Sequence, residues 1–138
     1  MSTEAFCNAV MADIDAWHKA NFPDLFVQYE NGPEFDEEPE ATAKPWLDVA
    51  VRFYSGSTTS IGDKPWGRYT GTVSMYVYAR QGEGTALSNR VIDSFVSAFK
   101  FKPYPSALLY FPERSVPTDH FGWHKVGVFI PFHLDEKG

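Results

Sequence analysis

The first twenty residues carry apolar side chains at helical spacing. They predict an amphipathic helix from Thr3 to about Ala20, which Pro23 ends because proline cannot continue a helix. Polar and charged residues occupy the other directions around the helix axis. The predicted buried stripe recurs at intervals of four, four and three residues: Phe6, Val10, Ile14 and Trp17.

Alternation of apolar and polar residues then replaces the helical pattern. One alternating segment begins at Leu47 and another runs from Trp66 to Arg80, and each predicts a strand with one face in the core. The polar stretch Ser55–Pro65 between them is expected to form a flexible loop, so the two strands are predicted to pair as a hairpin. A shorter apolar segment, Leu25–Tyr29, predicts one more strand.

The rest of the chain predicts a second helix and two further strands. Thr85 is expected to cap the helix, whose apolar stripe consists of Leu87, Val91, Phe95 and Phe99. The strands are predicted at Ala107–Phe111 and Trp123–Leu134, separated by a turn that contains Pro117, Thr118 and Asp119. Pro131 lacks an N–H and is expected where that side of the last strand is unpaired.

The element order α-β-β-β-α-β-β predicts one α+β domain that spans residues 1–138. Its expected architecture is an antiparallel sheet of four to five strands with two α-helices packed on one face. Composition agrees, because 43% of the residues are hydrophobic and a chain of this length buries about two-thirds of its unfolded surface without staples. The single cysteine, Cys7, excludes an internal disulfide and favours a reducing compartment.

The net charge of −6 arises in one segment of the chain. Six carboxylates and no basic residue lie between Glu30 and Glu40, which leaves 12 acidic and 12 basic residues elsewhere. The basic residues do not cluster, and this disfavours nucleic acid as a partner because phosphate backbones require several cations on one face. No apolar run approaches the roughly 20 residues that cross a membrane. The acidic run is expected to be a solvated loop, with an interaction surface or ion site as the alternatives.

Candidate catalytic and metal-binding groups are few. His120 and His124 are four residues apart, but Gly122 lies between them and a strand follows, so the helical spacing of a metal site does not apply. Cys7 lies on the first helix without an adjacent base, and the Gly82–Gly84 turn lacks the lysine of a phosphate loop. The sequence therefore predicts no enzyme, no cofactor and no bound metal.

Large aromatic side chains are more numerous than the predicted core requires. Two helices cannot cover all of them, and surplus aromatics are typical of subunit interfaces. The pattern favours an oligomeric interaction protein. The residues outside the predicted core stripes are Trp46, Tyr54, Trp66, Tyr69, Tyr76, Tyr78, Trp123 and Phe129.

The order of several short motifs resembles the tail-terminator, or tail-completion, proteins of long-tailed bacteriophages, and the resemblance spans nearly the whole chain. These motifs are Tyr29-Glu30-Asn31 with Phe35 and Pro39, Pro45-Trp46-Leu47-Asp48-Val49, Arg68-Tyr69-Thr70-Gly71-Thr72-Val73, Gly82-Glu83-Gly84-Thr85, Trp123-His124-Lys125-Val126 and Ile130-Pro131-Phe132. The resemblance implies a structural protein of the virion, assembled in the bacterial cytoplasm. It would form a ring, commonly a hexamer, that caps the head-proximal end of the tail tube and provides the head-joining surface.

The implied partners are further copies of the chain, the tail-tube protein and a head-completion protein, and the free protein could be monomeric. Subunits would meet through sheet edges and aromatic contacts, while the acidic loop faces a partner or the ring lumen. The alternatives are a head-side connector of the same junction, or a small ligand-binding or metal-dependent enzyme domain that uses His120 and His124. The predicted partner-interface residues are Asp36, Glu37, Glu38, Asp63, Lys64, Trp66 and Arg68.

Overall fold

A computed structural model of the chain describes residues 1–30, 44–82, 85–120 and 122–137. Helix α1 spans Thr3–Asn21, as predicted, and the Ser2 hydroxyl caps it by accepting a hydrogen bond from the Ala5 N–H. The predicted stripe is its buried face. Because this stripe repeats at helical spacing, the pattern alone was sufficient to place α1.

Helix α2 spans Ala86–Phe99, close to its predicted position. Thr85 occupies the N-cap position, but its side chain makes no capping hydrogen bond, so the predicted role of Thr85 is wrong. The helix is instead held by its apolar face. The buried residues of that face are Ser88, Val91, Ile92, Phe95 and Phe99.

Eight strands form one sheet and account for 47% of the described residues. Their order across the sheet is β1-β2-β3-β8-β5-β4, and β6 and β7 also pair with β8. β1 runs parallel to β2, so the sheet is mixed, and it curls into a half-barrel. The strands are β1 Phe26–Tyr29, β2 Trp46–Thr58, β3 Trp66–Arg80, β4 Pro103–Tyr104, β5 Ala107–Leu109, β6 Glu113–Arg114, β7 Thr118–His120 and β8 Trp123–Lys137.

This architecture contradicts the predicted α+β fold, with its antiparallel sheet of four to five strands and two helices packed on one face. Three strands of two or three residues were missed because they are too short to show alternation. β4 forms by pairing with β5, and β6 and β7 form by pairing with β8. The turn predicted around Thr118 is one of them. The parallel β1–β2 pairing depends on partner choice, which alternation does not encode.

The long central strands provide the frame of the molecule. β2 and β3 pair antiparallel as predicted, and β3 pairs with β8 along its whole length, from Trp66 opposite Lys137 to Arg80 opposite Trp123. On the other side of β8, β5 pairs up to Phe132 and β6 begins at Phe129. Pro131 lies in the interval between these pairings, as its missing N–H predicts.

One buried cluster joins the helices to the inward-facing residues of the sheet. Both helices contribute aromatic residues, and Phe6 contacts Phe132 with ring centroids 4.7 Å apart, while Trp17 contacts Phe95 at 5.3 Å. The Trp17 indole N–H also donates to the Ser94 hydroxyl and thereby fixes α1 to α2. Within the described ranges, no helix is both long and apolar enough to cross a membrane.

Candidate interaction surface

The β2–β3 hairpin extends past the hydrophobic core, against which only Tyr69, at the base of the extension, still packs. No residue from 54 to 69 is buried, although β2 continues to Thr58 and β3 begins at Trp66. We refer to residues 54–69 as the hairpin end. Part of this segment had been predicted as a flexible loop from Ser55 to Pro65, and that prediction is wrong for residues 55–58, which form a regular ladder with β3.

A β-bulge separates the hairpin end from the covered part of the hairpin. The register of β2 against β3 shifts between Phe53 and Ser55. Phe53 points toward the core and contacts the Phe6 and Phe132 rings, whereas Tyr54 is 66% exposed and hydrogen-bonds to Thr72 through its hydroxyl. A bulge bends a strand and increases its twist, so the hairpin turns away from the core at this point.

A shallow cleft of about 410 Å³ lies on the hairpin end. Gly56 and Gly67 line it, and the Tyr69 ring lies directly over Gly56, where a Cβ atom would be 3.3 Å from it. Trp66 forms another wall and remains 38% exposed. A cleft with an aromatic wall and glycine floor can accept an apolar side chain from another protein.

An ion pair ties the hairpin end to the last residues of β8. Arg68 binds Asp135 through two hydrogen bonds, with Nε to Oδ1 at 2.7 Å and Nη2 to Oδ2 at 3.0 Å. The hydrogen bond from Arg68 lowers the pKa of the Asp135 carboxyl, and the same bond raises the pKa of the guanidinium. His133 Nε2 lies 3.9 Å from Asp135, and its Nδ1 hydrogen-bonds to the Tyr110 hydroxyl.

The structure brings four of the predicted interface residues to this region. Trp66 and Arg68 lie two positions apart on β3 and therefore share one face, while Asp63 and Lys64 are exposed in the connecting turn. The partner of Arg68 was not predicted, because Asp135 lies 67 positions away and only the β3–β8 register places it opposite. The remaining three predicted residues, Asp36, Glu37 and Glu38, lie outside the described residues.

The surplus aromatics largely cover one another on the outer face of the sheet. Trp46 stacks on Tyr78 with ring centroids 4.1 Å apart, and Tyr76 meets Phe129 edge-on at 5.5 Å. The Lys125 ammonium lies 4.1 Å from the centre of the Tyr76 ring. Much of the aromatic content that suggested an interface is therefore packed within this chain, and the hairpin end holds much of what remains exposed.

The two histidines of the alternative function are not paired with each other in the β7–β8 register. In the β7–β8 register, residue 120 is opposite Trp123, and His124 is opposite Asp119. His124 Nδ1 donates to Asp119 Oδ1 at 2.9 Å, and Gln81 donates to the other carboxylate oxygen at 3.3 Å. Among the residues that the structure describes, no three potential metal ligands lie together.

Comparison with known proteins identifies the fold and no family. No protein-family model and no curated protein matches the chain. One solved structure, of a protein without a descriptive name, is similar over 97% of this chain and 96% of its own, with a TM-score of 0.72 and 19% sequence identity. At this identity the similarity shows that the curled, mixed sheet with two helices is a fold that another natural chain adopts.

Proposed function

We propose that this chain is a structural phage protein of the tail-terminator type. Copies would assemble as a ring, commonly a hexamer, on the head-proximal end of the tail tube, where the ring ends tube polymerisation and offers the surface that joins the head. The role requires no catalysis and no cofactor. The support comes from the order of motifs along the sequence and from the form of the hairpin end.

The hairpin end is the observation that carries the proposal. A strand pair without buried residues is marginally stable on its own. Here β2 is kept in register by its pairing with β3, and β3 by its pairing with β8. It presents Tyr54, Ile61 and Trp66 to solvent, with Ile61 fully exposed in the turn. Apolar groups displayed on an ordered arm are typical of an assembly interface.

Mass measurement tests the ring and a tube-length assay tests its activity. Light scattering and negative-stain microscopy on the purified protein should show a closed ring, or a ring that forms when tube ends are added. With the tail-tube protein of the same gene cluster, the protein should bind tube ends and shorten tubes in proportion to its concentration. A protein that remains monomeric at tube ends and leaves tube length unchanged would contradict the proposal.

A matched pair of variants links the activity to the hairpin end. Ile61→Asp changes a fully exposed turn residue and should abolish capping without lowering the melting temperature. Lys19→Ala, on the exposed side of α1, should leave capping unchanged. A head-side connector would give the opposite result in the binding assay. It would bind heads before any tail has joined, and it would leave free tubes uncapped.

A further inference from the structure

Exposed apolar side chains fall into two separate groups. Six of the eight large hydrophobic side chains that are exposed among the described residues belong to one group or the other. The first group is on the hairpin end: Tyr54, Ile61 and Trp66. The second group, which we call the edge patch, lies where the chain enters and leaves β4 and β5: Phe101, Tyr110 and Phe111, which are 57%, 38% and 61% exposed.

Phe101 occupies a backbone position that favours glycine. The Lys102 N–H donates to the Phe99 carbonyl at 3.2 Å, and Lys100 has φ −61° and ψ 135°, which is the first corner of a type II turn. Phe101 is the second corner, with φ 54°, in the left-handed region where side chains clash with the backbone. Phe101 is thus strained in its backbone and exposed to solvent, which makes its side chain a candidate for a contact outside the subunit.

The edge patch is held firmly by its surroundings. The Phe101 and Phe111 rings lie 5.9 Å apart, and Tyr110 is fixed through its N–H, which donates to the Pro131 carbonyl at 2.8 Å. The Leu109 N–H donates to the Lys102 carbonyl at 3.0 Å and closes the other side of the loop. The patch is therefore prepared for binding before a partner arrives, which reduces the entropy lost on association.

The two groups are similar in size and are suited to each other. Taking about 200 Å² for an exposed large side chain, the edge patch leaves about 300 Å² uncovered and the hairpin end about 400 Å². One partner of a standard interface contributes about 800 Å², of which roughly 60% is apolar. Each group thus supplies more than half of the apolar area that one partner of a stable interface needs.

The positions of the two groups agree with this pairing. The hairpin end belongs to β2 and β3, whereas the edge patch lies beside β5 and β4, on the other side of β8. Two different surfaces on one chain are what a head-to-tail ring requires.

We propose that the edge patch of one copy docks into the hairpin end of the next copy, with Phe101 and Phe111 against the cleft beside Trp66. The inference rests on the proposed ring and assigns the two halves of its subunit interface. A second copy is the occupant to which the area and the two-surface arrangement point. Every subunit of a closed ring would then use both surfaces, and no unpaired patch would remain.

Mixing two defective variants tests the pairing directly. Phe101→Asp removes the edge patch and Trp66→Ser removes the wall of the cleft, so neither variant should form rings alone. Mixed in equal amounts, they retain one intact patch and one intact cleft, and sedimentation should show a dimer of one chain of each kind. The pairing is overturned if both variants still form rings. It is also overturned if neither variant forms rings and their mixture gives no dimer. Neither result contradicts the ring formed by the original protein.

Cysteine cross-linking gives an answer even if the free protein is monomeric. In a Cys7→Ser background, with oxidised glutathione as the oxidant and tube ends present, Phe101→Cys chains mixed with Trp66→Cys chains should form at least tenfold more mixed disulfide than Phe101→Cys chains alone form of their own disulfide. Absence of the mixed disulfide would overturn the pairing, and absence of any end-bound protein would count against the proposed function instead.

A fold control separates docking from stability. Phe101→Gly removes the aromatic side chain but suits the left-handed turn position. The lost contacts lower the stability of the fold and the relieved strain raises it, so the two effects oppose each other. We expect a melting temperature within about 3 °C of the original protein, together with loss of rings or of end binding. A purely structural role for Phe101 would lower the melting temperature and leave assembly of the folded fraction intact, which would contradict the proposal.

Discussion

The two halves of the β2–β3 hairpin share the same strands and differ in what lies against them. The covered half, which includes Leu47, Val49, Val73 and Met75, packs on the helices, and these four side chains are fully buried. The hairpin end, residues 54–69, has an equally regular ladder and no buried residue. Hydrogen-bonded strand pairing therefore does not by itself create a core, and the second half is available for contacts outside the subunit.

Electrostatics divide the hairpin in the same way. Burial raises the pKa of Asp48 on the covered half, and the nearby Lys125 and Arg52 only partly oppose that effect. At the hairpin end the hydrogen bond from Arg68 lowers the pKa of Asp135. The charged form is thus disfavoured at Asp48, which is desolvated, and favoured at Asp135, which is paired with Arg68 at the surface.

The largest expected difference concerns two glycines of β3. A Cβ atom on Gly71 would lie 2.0 Å from the Arg52 carbonyl oxygen and 2.7 Å from the Phe132 ring, so Gly71→Ala must displace backbone. We expect a loss of more than about 4 kcal/mol of unfolding free energy in urea titrations. Gly67→Ala is the control, because its Cβ would meet nothing closer than 3.7 Å, and it should change stability by less than about 1 kcal/mol. Equal effects at both positions would contradict the division of the hairpin.

A smaller difference should separate two apolar truncations. Met75→Ala leaves a cavity on the covered half and should cost about 2–5 kcal/mol in the same titration. Ile61→Ala, at a fully exposed position of the hairpin end, should change the unfolding free energy by about 0.5 kcal/mol or less. A large loss of stability from Ile61→Ala would show that the turn packs on the subunit after all.

The smallest effects should appear in the pH dependence of stability, with opposite signs. The lowered pKa of Asp135 gives stability that is present above its ordinary pKa of 3.8 and is lost as the pH falls through the folded-state value. The raised pKa of Asp48 works the other way, since its penalty is absent below the ordinary pKa of 3.8, grows as the pH rises from there to the folded-state value, and is constant above that value. Thermal unfolding between pH 2 and 7 should therefore show Asp135→Asn lowering and Asp48→Asn raising stability at neutral pH, and both effects should vanish in strong acid.

Local pattern accounts for the parts of the fold that are long and one-sided. Helix α1 and strand β3 were predicted within one residue of their observed ends, because each buries a stripe that repeats at its own period. The loop prediction for residues 55–58 failed for the converse reason. Serine, glycine and threonine there have no buried face to reveal a strand, and pairing with β3 rather than burial makes them one.

The candidate surface shows the same division. Trp66 and Arg68 could be chosen from the sequence because a large aromatic and a cation stand at the start of a strand. Asp135, Gly56 and the edge patch could not, because each owes its place to contacts between distant segments. The strain at Phe101 in particular depends on a positive φ angle, which would not be predicted for a phenylalanine.

The sequence by itself determined the two helices, the central hairpin and the core stripe of each, since burial of a periodic face is a local property of the chain. Only the tertiary structure decided the parallel placement of β1, the short strands β4, β6 and β7 and the curl of the sheet, because the apolar pattern of a segment does not encode which strand it pairs with. It also decided which aromatics remain exposed. Most of those on the outer sheet face cover one another, and the uncovered ones are concentrated at the hairpin end and the edge patch because neither set of side chains packs against the core cluster.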